Sequence, residues 1–249
     1  MLASMILLLI AVSLLCAARL QDGFADWYAE NVYPMFVGTL GRFCSLIPFS
    51  VAEILLYAAL LMCLVAFFAA AVRAVIRICR RNPENVWYAP LAGWLSGVTL
   101  FAAVLIVVYT CTCGINYSRE SFSQKAGYDL QPATEEELRE TCRMVIDQIN
   151  AEADAIDYGE DGRSLLTVSA AEETRKAMSA LGEQYECLKG YYPRPKGLLV
   201  SEILSWQQLS GIYSPFTVEA NYNADMPAWE IPVTMCHELS HLRGFMRED

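Results

Sequence analysis

Apolar residues lie in three long runs in the first half of the chain, whereas apolar and polar positions are mixed in the second half. The runs cover residues 2–18, 54–72 and about 91–109. Each is long enough to cross the hydrocarbon core of a bilayer as a helix. A signal peptide is the alternative for the first run, but signal peptides begin with basic residues and none precedes it. The pattern therefore predicts three transmembrane helices.

The residues around the runs predict the orientation of the chain. The second run is followed by the basic residues Arg73, Arg77, Arg80 and Arg81. Such clusters stay on the cytoplasmic side, so the third helix is expected to lead outward and residues from about 118 to lie outside the cytoplasm. The connecting segment 20–50 is expected to lie at the membrane surface because it contains the aromatic residues Trp27, Tyr28, Tyr33 and Phe36.

Two helices in the second half are predicted by their first residues. In a capping box, a threonine or serine at the helix start and a glutamate three residues later cap each other. Thr134 with Glu137 predicts a helix that reaches about residue 155, and Ser169 with Glu172 predicts another that reaches about 188. Their acidic residues are expected to face solvent.

A short helix and a strand are expected further along the chain. The helix is predicted near 201–209, and residues 211–225 alternate as a strand does, with Pro215 suited to a sheet edge. The predicted fold is mainly α. A membrane region, 1–117, is followed by an α+β domain, 118–249, with a short edge strand before its last helix.

Charge separates the same two regions. Residues 114–249 hold 23 Asp or Glu and 12 Lys or Arg, a balance of −11, whereas the first 113 hold 5 and 6, a balance of +1. A membrane anchor followed by an acidic aqueous domain is the plain interpretation. Nucleic acid is excluded as a partner because no region is basic enough to bind it. The expected partners are the lipid bilayer and a peptide or protein substrate.

The only two histidines of the chain lie in the motif His237-Glu238-Leu-Ser-His241. On a helix, residues four apart share a face, so both imidazoles can bind one Zn²⁺ and leave other positions for a third ligand and a water. Glu238 would accept a proton from that water as a general base. The motif therefore predicts a zinc site in a metallopeptidase-like (zincin) domain.

An amphipathic helix whose histidines are only polar or capping residues is the alternative. The residues around the motif favour the zinc helix, because a proline that suits the first turn and apolar packing residues introduce it, namely Pro232, Val233, Met235 and Leu239.

The third zinc ligand is less well determined by the motif. Gly244 holds the glycine position of the metzincin pattern, but Arg247 stands where that pattern has a zinc ligand. In a continuous helix, Glu248 would lie about 10 Å along the axis from His241, too far to share a metal. It could bind only if the chain bends near Gly244 and a second helix brings it back. We expect the chain to be truncated after Asp249.

The strand over 211–225 is interpreted as the rim of a substrate cleft. Zinc peptidases often bind the substrate backbone along an edge strand beside the zinc helix. Glu219, Asn221 and Asn223 are the candidate substrate-binding residues on this rim. An ordinary hairpin strand is an equally good interpretation. Elsewhere, Cys142 and Cys187 could form a disulfide, although sequence does not fix the pairing.

Several stretches of the chain resemble a bacterial membrane family, the domain-of-unknown-function family numbered 3810. They are Ile47-Pro48-Phe49-Ser50, the stretch from Trp206 through Gly-Ile-Tyr-Ser-Pro-Phe-Thr-Val-Glu-Ala-Asn-Tyr-Asn-Ala-Asp-Met-Pro, and the closing His-Glu-Leu-Ser-His-Leu-Arg-Gly-Phe-Met-Arg-Glu-Asp. The glutamate that follows the motif in this family is similar to the third zinc ligand of the membrane-bound gluzincins related to the heat-shock protease HtpX. The resemblance implies that Glu248 is the third ligand here, and it implies no substrate.

The function expected from the sequence is that of a membrane-anchored zinc metallopeptidase. His237, His241 and Glu248 would bind Zn²⁺, and Glu238 would be the general base. The alternative is a zinc-stabilised membrane scaffold or sensor that cleaves nothing. An intramembrane protease is less consistent with the sequence, because the motif lies far beyond the last run and has Arg243 and Arg247 beside it.

Overall fold

The computed structural model describes residues 2–80, 86, 88–166 and 168–248. It divides into two compact units. The first unit contains Met1–Arg119 together with Ser214–Glu219, and the second contains Glu120–Tyr213 and Ala220–Asp249. The first division follows Arg119, and the domain boundary at 117/118 stays a prediction. The return of Ser214–Glu219 to the first unit was not predicted.

The first unit is helical. Its α-helices are α1 (Leu2–Leu20), α2 (Phe24–Asn31), α3 (Tyr33–Phe36), α4 (Arg42–Ser45), α5 (Val51–Cys79) and α6 (Ala89–Tyr109). A π-helical turn, Val37–Gly41, lies between α3 and α4, and a second one, Thr110–Gly114, continues α6 into a 3₁₀ turn, Ile115–Ser118. Helix α6 packs against both α1 and α5.

Among the residues that the structure describes, three helices are long and apolar enough to cross a membrane, and they contain the three predicted runs. They are Leu2–Leu20, Val51–Cys79 and the continuous segment Ala89–Ser118. Most of their large apolar side chains are exposed on the chain taken alone, as lipid-facing residues must be. These exposed apolar helices are consistent with a membrane location. Of the predicted basic cluster, Arg81 lies outside the described residues.

The segment 20–50 differs from the prediction of a surface segment, because two of its aromatic residues are buried. Tyr33 is 1% exposed, and buried Tyr28 donates a hydrogen bond of 2.8 Å to the Cys111 carbonyl oxygen. Trp27 remains exposed. The segment folds into short helices that pack on the ends of the long ones, so its aromatic residues supply core as well as surface.

The α-helices of the second unit, over its described residues, are α7 (Phe122–Lys125), α8 (Glu135–Glu152), α9 (Ala170–Gln184), α10 (Glu202–Trp206) and α11 (Ile231–His241). The capping box of α8 is confirmed, since Thr134 and Glu137 bond to each other's backbone N–H. No side chain of α8 is buried. Helix α9 starts as predicted, but the Ser169 side chain makes no cap bond. It ends at Gln184 rather than near 188, because Tyr185 takes an extended conformation.

A three-stranded sheet replaces the single predicted strand. Its strands are β1 (Lys196–Gly197), β2 (Gly211–Ser214) and β3 (Glu219–Tyr222), in the order β1-β3-β2. Strand β1 runs parallel to β3. Residues 215–218 join β2 to β3, a connection short enough only for an antiparallel hairpin. The prediction of one strand was wrong because Pro215 lacks the N–H that a strand needs and Val218 has a φ of 54°.

Helix α11 is held by α9. Ala170 and Ala171 of α9 pack with Met235 of α11 in a small buried core, which Tyr222 and Ile231 border. The Thr174 hydroxyl also contacts the Met235 sulfur at 3.7 Å. None of the nine cysteines is in a disulfide, so the suggested Cys142–Cys187 bridge is not formed.

Candidate metal centre

Helix α11 carries the motif with one face buried and the other open. Pro232 lies in its first turn, as predicted. Met235 and Leu239 are buried, but Val233 is 69% exposed, so the prediction that all three pack is wrong for Val233. Two residues along a helix differ in direction by about 200°, so Val233 points away from the face that Met235 presents. His237 is about half exposed, and His241 is mostly covered.

The chain reverses directly after the helix. Gly244 has a φ of 86°, and its N–H donates to the His241 carbonyl oxygen at 2.8 Å. A glycine in the left-handed conformation at this position ends a helix without steric cost. The Phe245 N–H also reaches back to the Ser240 carbonyl oxygen. The turn therefore redirects the last residues toward the motif.

Glu248 returns to both histidines. Its Oε2 lies 3.4 Å from His237 Nε2, and its Oε1 lies 3.4 Å from His241 Nε2. Two ligand atoms bound to one tetrahedral Zn²⁺ at 2.0–2.1 Å lie about 3.3 Å apart. Both distances from Glu248 to the histidines are close to that spacing. The expected bend at Gly244 is present, and the described residues reach Glu248 without a second helix. Coordination by Glu248 stays a prediction.

A backbone oxygen orients His241. Its Nδ1 lies 2.6 Å from the Phe245 carbonyl oxygen, which can only accept a hydrogen bond. In a neutral imidazole with this bond the proton lies on Nδ1, which leaves the Nε2 lone pair available to a metal. Metal-bound histidines commonly have such a partner for the other ring nitrogen. The two imidazole rings are nearly perpendicular, with centroids 4.7 Å apart.

Glu238 lies beneath the histidines and is 4% exposed. Burial, and then the nearby Glu248 carboxylate, raise the pKa of Glu238 to about 8. Its Oε2 has no hydrogen-bond partner among the described residues. Ligand atoms of His237, Glu238 and His241 all lie within 4.8 Å of one another. A cation at the histidines would lower the pKa of Glu238 and restore its carboxylate form.

Residues 28–249 match the family described as Protein of unknown function (DUF3810). The chain belongs to this family. No curated protein and no solved structure matches it. The DUF3810 match covers the second and third apolar helices and the whole motif, and it assigns no activity to them.

The predicted rim residues of this DUF3810 chain lie on or beside the central strand. Glu219, Asn221 and Asn223 are all 1–2% exposed. The Asn223 side-chain amide donates to Ser205 Oγ and to the Leu209 carbonyl oxygen. Their observed bonds are internal to the fold, so substrate binding by these three residues stays a prediction.

Gly211 is the site residue that the sequence did not reveal. A Cβ at this position would lie 2.7 Å from Glu238 Oε1 and 2.7 Å from Thr234 Cγ2, closer than real Cβ atoms approach. Only glycine lets the start of β2 lie against the motif helix. A glycine that opens a strand pattern can mark such a close approach, and this was the available signal.

Proposed function

We propose that this DUF3810 protein is a membrane-anchored zinc metallopeptidase. The observation that carries the proposal is the position of Glu248, whose two oxygens lie 3.4 Å from the Nε2 atoms of His237 and His241. A carboxylate facing two histidines four residues apart on a helix is a typical ligand set for catalytic zinc. His237, His241 and Glu248 would hold the ion, and Glu238 would act beside it.

The chemistry follows from these groups. A bound zinc would acidify a water molecule and polarise the scissile carbonyl. Glu238, as carboxylate, accepts the proton of the water and delivers it to the departing amine. Its burial shields it from bulk water and leaves one oxygen without a partner among the described residues, so that oxygen can receive a proton. His241 is kept in the tautomer that a metal needs by the Phe245 carbonyl.

The substrate would be a peptide or protein whose backbone lies along β2. Strand β2 is at the edge of the sheet, and edge strands present backbone N–H and C=O groups to an added strand. Its first residue, Gly211, adjoins Glu238. A backbone paired with β2 would therefore pass beside the proposed general base. We therefore propose β2 as the strand that pairs with the substrate, and binding by Glu219, Asn221 and Asn223 stays a separate prediction.

We further propose that residues from about 118 lie outside the cytoplasm. Arg73, Arg77 and Arg80 lie at the carboxyl end of α5, which predicts that this end is cytoplasmic. The amino end of α5, at Val51, would then lie on the outer side. Glu219 contacts that amino end, which supports an outer location for the β2–β3 turn.

A non-catalytic zinc-stabilised scaffold or sensor is the second candidate. The deep burial of Glu238 favours it, because a side chain that is 4% exposed can serve the packing of the fold alone. The two candidates differ in whether a cation at the histidines lowers the pKa of Glu238 enough for turnover. Both require the same zinc ligands.

The Glu238→Gln substitution in the full chain separates the candidates. Glutamine keeps the size of the side chain but cannot accept a proton, so we expect zinc content to stay and peptide hydrolysis to fall by about 100-fold or more. Metal analysis and cleavage of a broad peptide library in detergent measure both. Equal turnover in the variant and the parent chain would remove Glu238 from the mechanism. Zinc without turnover in either would favour the scaffold.

A further inference from the structure

Glu219 bonds to the start of the second membrane-length helix. Its Oε1 accepts a hydrogen bond from the Val51 N–H at 3.2 Å, and its Oε2 accepts one from the Ala52 N–H at 2.9 Å. Glu219 follows these residues by more than 160 positions and is 2% exposed. A carboxylate from a distant part of the chain therefore caps α5.

The cap satisfies groups that the helix cannot satisfy itself. The first four N–H groups of an α-helix have no partner within the helix. Ser50 Oγ accepts from the Glu53 N–H at 3.2 Å, and Glu219 takes the two N–H groups before it. The helix dipole places partial positive charge at this end, so a buried carboxylate there is favourable. Glu219 thus stabilises the start of α5 through two hydrogen bonds and through the interaction of its carboxylate with the helix dipole.

The same residue begins β3 and closes the turn after β2. The turn segment Ser214–Glu219 belongs to the first unit, while Gly211–Tyr213 and Ala220–Tyr222 belong to the second. Strand β2 starts at Gly211, which lies against Glu238 Oε1 and Thr234. Within the first unit the turn of the hairpin therefore carries the cap of α5, and within the second unit the first residue of β2 lies against the motif helix.

We infer that Glu219 is a positioning residue for the metal centre. By fixing the turn of the hairpin on the amino end of α5, it holds β2, and with it Gly211, in place beside Glu238. This inference rests on the proposed function for its effect on turnover. The effect of Glu219 on the hairpin is independent of the proposed function, because its bonds to Val51 and Ala52 need no metal or substrate.

Three variants of the full chain test the inference. Glu219→Ala removes both bonds to α5. Glu219→Gln keeps one acceptor oxygen and loses the charge. Ser50→Ala is the matched control, because it removes a cap from the same helix end without touching the hairpin.

Turnover and hydrogen exchange are the two readouts. For Glu219→Ala we expect kcat to fall about tenfold with zinc content unchanged, because small displacements of reacting groups cost rate steeply. KM should change less than kcat. The kcat of Glu219→Gln should lie between that of Glu219→Ala and that of the parent chain. Amides of β2 and β3 should exchange faster in Glu219→Ala, whereas Ser50→Ala should affect only the first turn of α5.

The outcomes separate the two proposals. If Ser50→Ala lowers kcat as much as Glu219→Ala, the effect comes from α5 stability and the positioning role is overturned. Unchanged exchange in the hairpin of Glu219→Ala overturns it as well. If the parent chain shows no turnover, the proposed function fails, and the exchange pattern alone still confirms or overturns the anchoring by Glu219.

Discussion

At the scale of single residues, Glu248 and Gly211 complete what the motif begins. Glu248 supplies the carboxylate that faces both imidazoles, and Gly211 leaves the space in which Glu238 lies. Neither is in the His-Glu-x-x-His motif. Both residues reach the motif through the backbone. A left-handed turn at Gly244 brings Glu248 back to the histidines, and the start of β2 places Gly211 directly against Glu238.

Removal of the Glu248 carboxylate should weaken zinc binding. Loss of an outer partner of a zinc ligand commonly costs 10–100-fold in affinity, so loss of a direct ligand in Glu248→Ala should cost more than about 100-fold. Competition with a chromophoric chelator measures the affinity. The control is Glu202→Ala, which removes an exposed acid of α10. Equal affinity in both variants would show that Glu248 is not a ligand.

A methyl group at Gly211 should disturb the proposed base. In Gly211→Ala the new Cβ would meet Glu238 Oε1, Thr234 Cγ2 and the Asn221 carbonyl oxygen, all within 2.8 Å. Overpacking of this kind costs about 1–3 kcal/mol, so thermal unfolding should occur at a lower temperature and turnover should fall. Gly97→Ala is the control, because nothing lies within 4 Å of a Cβ there. A Gly211→Ala protein as stable as the control would contradict the close approach.

At the scale of elements, α9 and α11 form the packed pair that supports the site. Met235 is 2% exposed against Ala170 and Ala171, whereas Val233 on the same helix is 69% exposed. Met235→Ala should therefore lower stability by about 2–5 kcal/mol through the cavity it leaves. Val233→Ala should have little effect. Denaturant unfolding of both variants measures the difference, and similar losses would contradict this packing.

The sequence predicted the elements whose position depends on neighbouring residues, and it did not predict the features that depend on contacts between distant parts of the chain. The three apolar runs, the Thr134 cap and the phase of His237 and His241 depend on neighbours in sequence, and the structure has them at the predicted positions. The break of the 211–225 stretch combines a local cause, the missing N–H of Pro215, with the left-handed conformation of Val218, which the sequence does not signal. The capping of α5 by Glu219 joins residues far apart in the chain, which periodicity cannot reveal.

At the scale of the whole molecule, the metal-free protein should lose stability as pH rises. The pKa of Glu238 is about 8 in the folded chain against an ordinary value of 4.5, so the folded form binds a proton that the unfolded form has released. Stability from this group is fully present below about pH 4.5 and is lost as pH rises through about 8.

Thermal unfolding of the chelator-treated chain between pH 6 and pH 8.5 tests this dependence. The parent chain should unfold at progressively lower temperature across the range, and Glu238→Gln should show a smaller change because it has no proton to lose there. Added zinc should flatten the slope of the parent chain, since a nearby cation favours the carboxylate. Parallel slopes in parent and variant would contradict the raised pKa.

Gly244 gives the site an unusual vulnerability. Its φ of 86° is open to glycine but costs other residues about 1 kcal/mol or more, and residues 245–248 depend on that bend for their direction. An exchange of its single hydrogen for a methyl group would strain the bend that brings the Phe245 carbonyl to His241 and Glu248 to both imidazoles. The proposed zinc site would then lose both the position of its third donor and the orientation of one imidazole.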